Sequence, residues 1–229
     1  MKVFLAGATG AIGRRLVPLL LDAGHDVVGT TRKAEGAAQL IRAGVRPVLL
    51  DAFDVAAVEA AVRDARPDAL INQLTDLPPV YDAATFGEFA ERNNALRKTG
   101  TANLAQAAVA AGTPRMITAT LAFIYASGQE PHPESDPLEA NADAALAAER
   151  SVLEARLAGT VLRYGLFYGP GTWYEAPSGK PPVHVDAAAH AAVLALRGEP
   201  GIYNIADDTG VVSIERARRL LGWDPGFRL

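Results

Sequence analysis

The chain has 229 residues, 49% of them hydrophobic, and a formal net charge of −4; this suits one substantial domain, or a domain with a small appendage, around a large core. The acidic balance argues against a nucleic-acid partner, and no apolar run approaches the ~20 residues of a membrane helix. The chain contains no cysteine, which excludes disulfides and thiolate chemistry and favours a cytoplasmic location.

The N-terminus reads as a strand, a glycine turn and the start of a helix. Val3–Ala6 is a short apolar run, and Gly7, Gly10 and Gly13 follow at G-x-x-G-x-x-G spacing before apolar residues recur at helical spacing. Such a turn lets backbone approach a pyrophosphate, and the helix N-terminus offers free N–H groups and the positive end of its dipole. The pattern predicts dinucleotide binding. The alternative is a glycine turn that only packs helix against strand.

The rest of the chain alternates short apolar runs with helical patterns. The further predicted strands are Asp26–Thr31, Arg46–Leu50, Ala69–Gln73, Arg115–Ala119, Thr160–Tyr164 and Gly201–Ile205. The predicted helices are a first one ending at Gly24, then Lys33–Ala43, Asp54–Ala65, 83–111, Glu139–Leu157, Asp186–Arg197 with Asp186 as N-cap, and Ser213–Leu221. Residues 168–182, rich in Gly and Pro, are predicted to be mostly loop. This alternation predicts right-handed βαβ crossovers and a parallel sheet with helices on both faces.

The order of these motifs resembles the extended short-chain dehydrogenases, the group that contains the NAD(P)-dependent sugar epimerases and dehydratases. The segments that carry the resemblance are GATGAIG, VVGTTR, DAFD, ALINQLT, GTANLAQAA, LRYGLFYGPGT and HVDAA. The resemblance implies a Rossmann-type doubly wound α/β fold, with a dinucleotide-binding core over 1–165 and a short C-terminal lobe over 166–229 interleaved with it. The lobe is shorter than in fuller members, so we expect a substrate pocket that is open or completed by a second subunit in a homodimer.

The acid/base pair of this family is missing. The family's hydride chemistry uses Tyr-x-x-x-Lys, one helical turn apart, in which the Lys lowers the pKa of the Tyr and the Tyr exchanges a proton with the substrate. No tyrosine here has a lysine four residues later. Register against Glu149 puts Asn141 at the Tyr position and Ala145 at the Lys position, and neither side chain transfers a proton. The family's serine falls on Leu121, and Thr120 is the nearest hydroxyl.

The predicted cofactor contacts follow the first four strands. They are Gly7, Thr9, Gly10, Ala11, Ile12 and Gly13, then Arg32 and Lys33, then Asp51 and Ala52, and finally Gln73, Leu74 and Thr75. Arg32 stands where a carboxylate would favour NAD, so we expect NADP, with NAD as the alternative. The resemblance implies that Asp51 accepts a hydrogen bond from the adenine amino group. The alternatives are a solvated helix start for Arg32, a helix N-cap for Asp51, and ordinary strand-end polar residues for 73–75.

Four further residues are candidates for proton transfer or substrate contact: Thr120, Tyr125, Tyr168 and His184. Thr120 and Tyr168 are favoured because each follows or ends a strand at the carboxyl edge, where ligands gather. The alternatives are a partly buried ring with a hydrogen-bonded hydroxyl for each tyrosine and a structural anchor for His184. Trp173, in the Gly/Pro loop, is a candidate to cover a ligand or a subunit contact. The four histidines are scattered and predict no metal site.

Three functions are compatible with these residues. The first is an NADP-dependent enzyme of atypical mechanism, an oxidoreductase or an epimerase- or dehydratase-like enzyme acting on a small oxygenated substrate. The second is a non-catalytic NADP(H)-binding sensor, and the third is a non-redox isomerase or cyclase. The missing Tyr-x-x-x-Lys argues against the ordinary form of the first. GATGAIG and Arg32 argue against a vestigial cofactor site, and we favour the first.

Overall fold

A computed structural model of the protein describes residues 1–78, 80–179 and 181–229. Its strands are Lys2–Ala6 (β1), Asp26–Thr31 (β2), Arg46–Leu49 (β3), Ala69–Asn72 (β4), Arg115–Leu121 (β5), Ala158–Tyr164 (β6), Leu166–Tyr168 (β7), Pro182–His184 (β8) and Gly201–Ile205 (β9). Its helices are Ala11–Asp22 (α1), Ala34–Arg42 (α2), Val55–Ala65 (α3), Phe86–Ala95 (α4), Thr101–Ala110 (α5), Asp143–Leu153 (α6), Val185–Ala195 (α7) and Glu215–Leu221 (α8). Among these described helices, none has both the length and the apolar character needed to cross a bilayer.

Seven of the described strands form one sheet in the order β3-β2-β1-β4-β5-β6-β9, and each neighbouring pair is parallel. The strand order reverses between β1 and β4, which creates the switch point at which open α/β sheets bind ligands. The predicted Rossmann-type doubly wound fold is therefore confirmed. The division near residue 165 stays a prediction; β9, which lies beyond it, pairs with β6 in the same sheet.

Two apolar layers cover the two faces of the sheet. On one face, α1 packs against α7, where Leu16 and Leu20 lie in one cluster with a run of buried alanines. Small side chains on α7 let the two helices approach closely. On the other face, α3 and α5 cover the sheet with side chains such as Val58 and Leu104. Trp223 is buried in the first layer, and its Nε1–H donates to a backbone carbonyl at 2.8 Å.

Most predicted boundaries agree with the structure, and two helices differ from their predicted extents. The helix predicted over 83–111 begins at Phe86 and passes through a π-helical turn at Leu96–Gly100 before it continues as α5. The helix predicted over Glu139–Leu157 is confined to Asp143–Leu153. Its first predicted residues form a hydrogen-bonded turn instead, which side-chain periodicity does not distinguish from a helical turn.

The N-caps of two helices give one confirmation and one correction. Asp54 caps α3, because its carboxylate accepts a hydrogen bond from the Ala57 N–H at 3.0 Å. The predicted cap of α7, Asp186, is wrong. The cap is His184, whose Nδ1 accepts from the Asp186 N–H at 3.2 Å, so α7 begins one residue earlier than predicted.

Candidate functional site

The glycine turn after β1 has the shape that a pyrophosphate requires. Gly7 has φ +86°, which favours glycine, and a Cβ on it would lie 2.8 Å from the Gln73 carbonyl oxygen. A Cβ on Gly13 would overlap the backbone of Gly7 and Ala8, so Gly13 allows α1 to begin against β1. A Cβ on Gly10 would meet only the Gly7 carbonyl oxygen, at 3.4 Å. Packing of the protein therefore does not explain why this position is a glycine. The open space beside Gly10 fits a ligand that approaches the backbone closely.

The first turn of α1 presents backbone donors to this space. Its N-cap is Gly10, which has no side chain to bond the first N–H groups, and no acidic residue occupies the turn. The side chain of Ile12 is buried in the core, so only its backbone faces the site. Arg15, in the second turn of α1, donates to the Pro170 carbonyl at 3.1 Å, which places the loop after β7 beside this helix end. The free N–H groups and the positive end of the helix dipole fit an anion such as a pyrophosphate.

The carboxyl end of β2 is bonded to the glycine turn. The Thr30 hydroxyl accepts from the Gly7 N–H at 3.1 Å, and the hydroxyls of Thr9 and Thr31 are 3.4 Å apart. The backbone of Lys33 in turn donates to the Thr31 hydroxyl at 3.3 Å. These hydrogen bonds hold the backbone of the residues that follow β2. The adenosine part of the dinucleotide is predicted to bind at these residues.

Arg32 projects from this end of the cleft and is bound by a carboxylate. Its Nη2 lies 2.7 Å from Asp76 Oδ1, and the other oxygen of Asp76 lies 3.2 Å from Arg92 Nε. The two guanidinium side chains are 55% and 56% exposed, and that of Asp76 is 20% exposed. The hydrogen bond from Arg32 is the main cause that holds the pKa of Asp76 below its usual value. Neither Asp76 nor Arg92 was singled out from the sequence.

The turn after β3 places the predicted adenine contacts at the same edge. One oxygen of Asp51 accepts from the Phe53 N–H at 3.0 Å, which makes it a turn residue, while the N-cap of α3 is the later Asp54. The Ala52 carbonyl accepts from the buried Asn103 side chain at 2.8 Å, so α5 holds this turn in place. The N-cap alternative for Asp51 is therefore wrong, and its adenine contact stays a prediction.

Gln73 and Tyr164 form a buried pair beneath the glycine turn. The Gln73 amide donates to the Tyr164 hydroxyl at 3.2 Å, and its backbone N–H donates to Ala6. Burial raises the pKa of Tyr164, so this tyrosine stays protonated and is not a general base. Leu74 follows in a turn closed by Asn72, and Thr75 is exposed beyond it. Sequence reasoning missed Tyr164; the available signal was a tyrosine at the carboxyl end of a buried strand.

The Thr120 hydroxyl is part of a buried polar network between β5, β6 and α6. It donates to Glu149 Oε1 at 2.9 Å. Arg163 binds the same carboxylate through Nε at 2.8 Å and Nη2 at 2.7 Å, and both charged side chains are only 4% exposed. The bidentate geometry and the Thr120 hydroxyl satisfy the carboxylate. The Thr120 proton is thus engaged by Glu149.

The two positions of the family's acid/base pair carry no group that titrates near neutral pH. Asn141 is exposed in the turn that precedes α6. Ala145 is 2% exposed and packs in a small apolar cluster with Ile124 and Ala142. An amide and a methyl group thus occupy the two positions that the register against Glu149 assigns to the acid/base pair, and that assignment stays a prediction.

The remaining catalytic candidates belong to two separate networks. The Tyr125 hydroxyl donates to Asn204 at 2.7 Å and accepts from Arg163 at 2.8 Å, which joins Tyr125 to the network of Thr120. Burial raises its pKa. The Tyr168 hydroxyl donates to Asp207 at 2.8 Å, and the Tyr168 ring meets the edge of the His184 ring with centroids 5.1 Å apart.

The contacts of Tyr168 and His184 match their structural alternatives. Burial is the main cause that raises the pKa of Tyr168, and burial also lowers the pKa of His184, which favours a neutral imidazole. A neutral His184 can accept at Nδ1, as its capping role for α7 requires. The catalytic roles of Thr120, Tyr125, Tyr168 and His184 stay predictions.

Tyr81, Phe86 and Trp173 contact one another through their rings, and we call these three side chains the aromatic rim. Trp173 comes from the loop between β7 and β8, and its Nε1–H donates to the Pro78 carbonyl at 2.8 Å. Its ring centroid lies 5.5 Å from that of Tyr81 and 5.9 Å from that of Phe86. This aromatic rim joins the loop after β7 to the segment after β4. Tyr81 remains 44% exposed, so the rim still offers an apolar surface.

Comparisons with known proteins agree with this geometry. A family model described as NAD(P)H-binding matches residues 7–194. A 3-diazoavenalumate denitrifying reductase from a Streptomyces species is 38% identical over 240 aligned positions, covering 91% of this chain and 76% of the relative.

Solved structures show the same fold. The UDP-glucose 4-epimerase of Thermotoga maritima superposes with a TM-score of 0.80 at 18% identity, covering 100% of this chain and 94% of the epimerase. The Thermus thermophilus UDP-glucose 4-epimerase, solved with NAD, gives a TM-score of 0.78 at 20% identity, covering 100% and 95% of the two chains. At these identities the likeness establishes the fold alone.

Proposed function

The chain belongs to the NAD(P)H-binding family, and on that premise we propose that it is an NADPH-dependent reductase whose reaction takes no proton from the protein. The proposal rests on the side chains at the predicted acid/base positions and on the observed hydrogen bond of Thr120. Asn141 and Ala145 stand where the family's Tyr and Lys would be, and the nearest hydroxyl, Thr120, already donates to Glu149. A reaction that needs only a hydride is compatible with this site.

Four segments would hold the dinucleotide. The backbone of Gly7–Gly13 would bind the pyrophosphate, Asp51 the adenine, and Arg32 a 2′-phosphate, while Gln73–Thr75 would line the edge beyond β4. The empty space above Gly10 and the uncapped first turn of α1 support the first of these assignments. The guanidinium of Arg32 supports NADP(H) over NAD(H).

An arenediazonium ion is the substrate class that fits these requirements. Bound NADPH would supply a hydride whose electron pair forms a C–H bond at the ring carbon, while the C–N bond breaks and its electrons leave with N₂. No proton enters or leaves in that balance, so no general acid is needed. The name of the Streptomyces relative joins a diazo substrate, loss of nitrogen and reduction, which supports this class.

The aromatic rim offers a suitable surface for such a substrate. A diazonium ion combines a flat ring with a positive charge, and aromatic faces attract both. Trp173 and Tyr81 come from different segments and are in contact, with their centroids 5.5 Å apart, and Tyr81 is 44% exposed. Their role would be to orient the ring and exclude water, with no part in the transfer of protons.

The proposed activity has a direct test. The protein is mixed with 4-carboxybenzenediazonium and NADPH labelled with deuterium at the transferable position. We expect N₂ release equal to NADPH consumed, with deuterium on the ring carbon of the benzoate product. The Gly10→Val variant is the control for spontaneous reduction. Equal rates with both proteins would contradict the proposal, and retained cofactor binding without turnover would favour the sensor function.

Removing the hydroxyl of Thr120 or Tyr168 tests whether the reaction needs a proton from the protein. The sequence favoured these two residues for proton transfer, whereas the proposal needs neither. Thr120→Val and Tyr168→Phe are expected to keep turnover within about twofold, because loss of a true general acid or base would lower the rate by about 10²–10⁴. Asn141→Ala serves as the matched control and is also expected to be nearly silent. A tenfold or larger loss for Thr120→Val or Tyr168→Phe would assign that hydroxyl the proton-transfer role and overturn proton-free chemistry.

Removing the guanidinium after β2 is expected to abolish most of the preference for NADP(H). Arg32→Ala should reduce the difference in binding free energy between NADP⁺ and NAD⁺ by about 1.5–3 kcal/mol, the usual contribution of hydrogen bonds to a charged group. Calorimetric titration with each cofactor measures this difference, and Arg42→Ala, which removes an exposed charge at the far end of α2, is the control. Equal or tighter binding of NAD⁺ by the unaltered protein would contradict the NADP(H) preference, and an unchanged difference in the Arg32→Ala variant would remove Arg32 from its role.

A further inference from the structure

We infer that Asp76 is an internal anion that competes with the 2′-phosphate of NADP(H) for Arg32, and that Arg92 is a second guanidinium of the same phosphate site. The inference rests on the proposed role of Arg32. It adds to that role one residue that opposes NADP(H) and one that supports it. Both lie outside the segments from which cofactor contacts were predicted.

The position of the Asp76 carboxylate supports the first half of the inference. Its two oxygens are divided between the two cations, Oδ1 at 2.7 Å from Arg32 and Oδ2 at 3.2 Å from Arg92. The backbone N–H of Asp76 donates to Asn93 at 2.9 Å, so α4 anchors the residue. A carboxylate thus lies between two guanidinium groups, which is the place that a phosphate would take.

The charge balance shows why a phosphate suits this place. Two cations around one carboxylate leave one positive charge uncompensated, at a point where both guanidinium side chains are more than half exposed. Within the described contacts, Arg32 uses only Nη2 and Arg92 only Nε on Asp76, so each has further N–H donors to offer. A phosphate brings up to two negative charges and three acceptor oxygens, which matches those donors.

Asp76 then opposes the phosphate in either arrangement. If the phosphate displaces the carboxylate, the bond to Arg32 is lost. If the carboxylate stays, two anions lie side by side and repel each other. NAD(H) carries a ribose hydroxyl in place of the phosphate and meets neither penalty. The contact between Asp76 and Arg32 would therefore reduce the preference for NADP(H) over NAD(H) that Arg32 alone provides.

The test measures the dissociation constants of NADP⁺ and NAD⁺ by calorimetry, without reference to turnover. Asp76→Asn keeps the shape and removes the charge, and we expect it to tighten NADP⁺ binding by about fivefold while NAD⁺ binding stays within about twofold. Arg92→Gln is expected to weaken NADP⁺ binding by about fivefold and leave NAD⁺ unchanged. Glu88→Gln, which removes an exposed acid on the same helix as Arg92, is the control and should change neither constant.

The outcomes separate this inference from the proposed function. If Asp76→Asn shifts both cofactors equally, or weakens NAD⁺, the carboxylate contacts a part common to both and the inference fails. If Glu88→Gln changes NADP⁺ binding as much as Asp76→Asn does, the change is a general effect of removing negative charge, and the inference is overturned. The dissociation constant of NAD⁺ divided by that of NADP⁺ gives a ratio that is informative even if the unaltered protein prefers NAD⁺. In that case the proposed NADP(H) preference fails, while a rise in the ratio with Asp76→Asn still supports the competition.

Discussion

Replacing Gly10 by valine is expected to abolish dinucleotide binding and leave the protein folded. Within the part of the chain that the structure describes, a Cβ on Gly10 would have only the Gly7 carbonyl oxygen within 4 Å, at 3.4 Å, so the new side chain meets no crowded core. It would fill the space through which a pyrophosphate approaches the backbone. We expect affinity for NADP⁺ to fall more than about 100-fold, or about 2.7 kcal/mol. Calorimetric titration measures the affinity, and circular dichroism measures the fold.

A second glycine of the same motif provides the contrasting control. A Cβ on Gly13 would overlap the backbone of Gly7 and Ala8, so Gly13→Ala should lower the free energy of unfolding, by about 1–3 kcal/mol for an overpacked site. The two substitutions thus separate space kept for the ligand from space needed for packing. A folded Gly10→Val protein that binds NADP⁺ normally would place the phosphate site elsewhere.

Breaking the buried ion pair is expected to have the largest effect on stability. Glu149→Ala would leave the Arg163 guanidinium 4% exposed with only neutral partners, the Tyr125 hydroxyl at 2.8 Å and a backbone carbonyl at 3.1 Å. Removing one member of a buried pair typically lowers the free energy of unfolding by about 3–5 kcal/mol, because the remaining charge is uncompensated. Urea denaturation followed by circular dichroism measures this change.

Two further variants show whether the uncompensated charge is the cause. The double variant Glu149→Leu with Arg163→Met removes both charges and should be less destabilised than Glu149→Ala. Asp64→Ala breaks the exposed contact with Arg63, whose charged atoms are 3.9 Å apart, and should change stability by less than about 1 kcal/mol. If Glu149→Ala has no larger effect than Asp64→Ala, the buried pair is not a major source of stability.

The fold was predictable because its signals are local. Parallel strands buried on both faces appear as short apolar runs, and predicted Asp26–Thr31 and Gly201–Ile205 match β2 and β9. The π-helical turn at Leu96–Gly100 was not predictable, because it changes the hydrogen-bond partners of the backbone without interrupting the helical pattern of side chains. The cap of α7 was missed because Asp favours N-caps and His does not, while the structure uses the imidazole nitrogen as acceptor.

The site was predictable only where it is continuous in sequence. The glycine turn lies within seven consecutive residues, and its spacing between an apolar run and a helical pattern predicts its shape. The contact between Arg32 and Asp76 joins residues 44 positions apart, and the one between Gln73 and Tyr164 joins residues 91 apart. Such contacts depend on strand order in the sheet, which brings the ends of β2, β4 and β6 to one edge. One sequence without the assembled sheet does not specify these neighbours.

The chain's two tryptophans divide its intrinsic fluorescence between two places. Trp223 lies in the core at 2% exposure with its indole N–H bonded to a backbone carbonyl, so its emission follows unfolding. Trp173 lies on the aromatic rim, where the segment after β4 and the loop after β7 are in contact, so its emission should report whether these two segments stay together. A protein with Trp223 replaced by phenylalanine would carry a single indole, on the aromatic rim. Trp173 is in this sense a native optical probe of the contact between these two segments, requiring no attached dye.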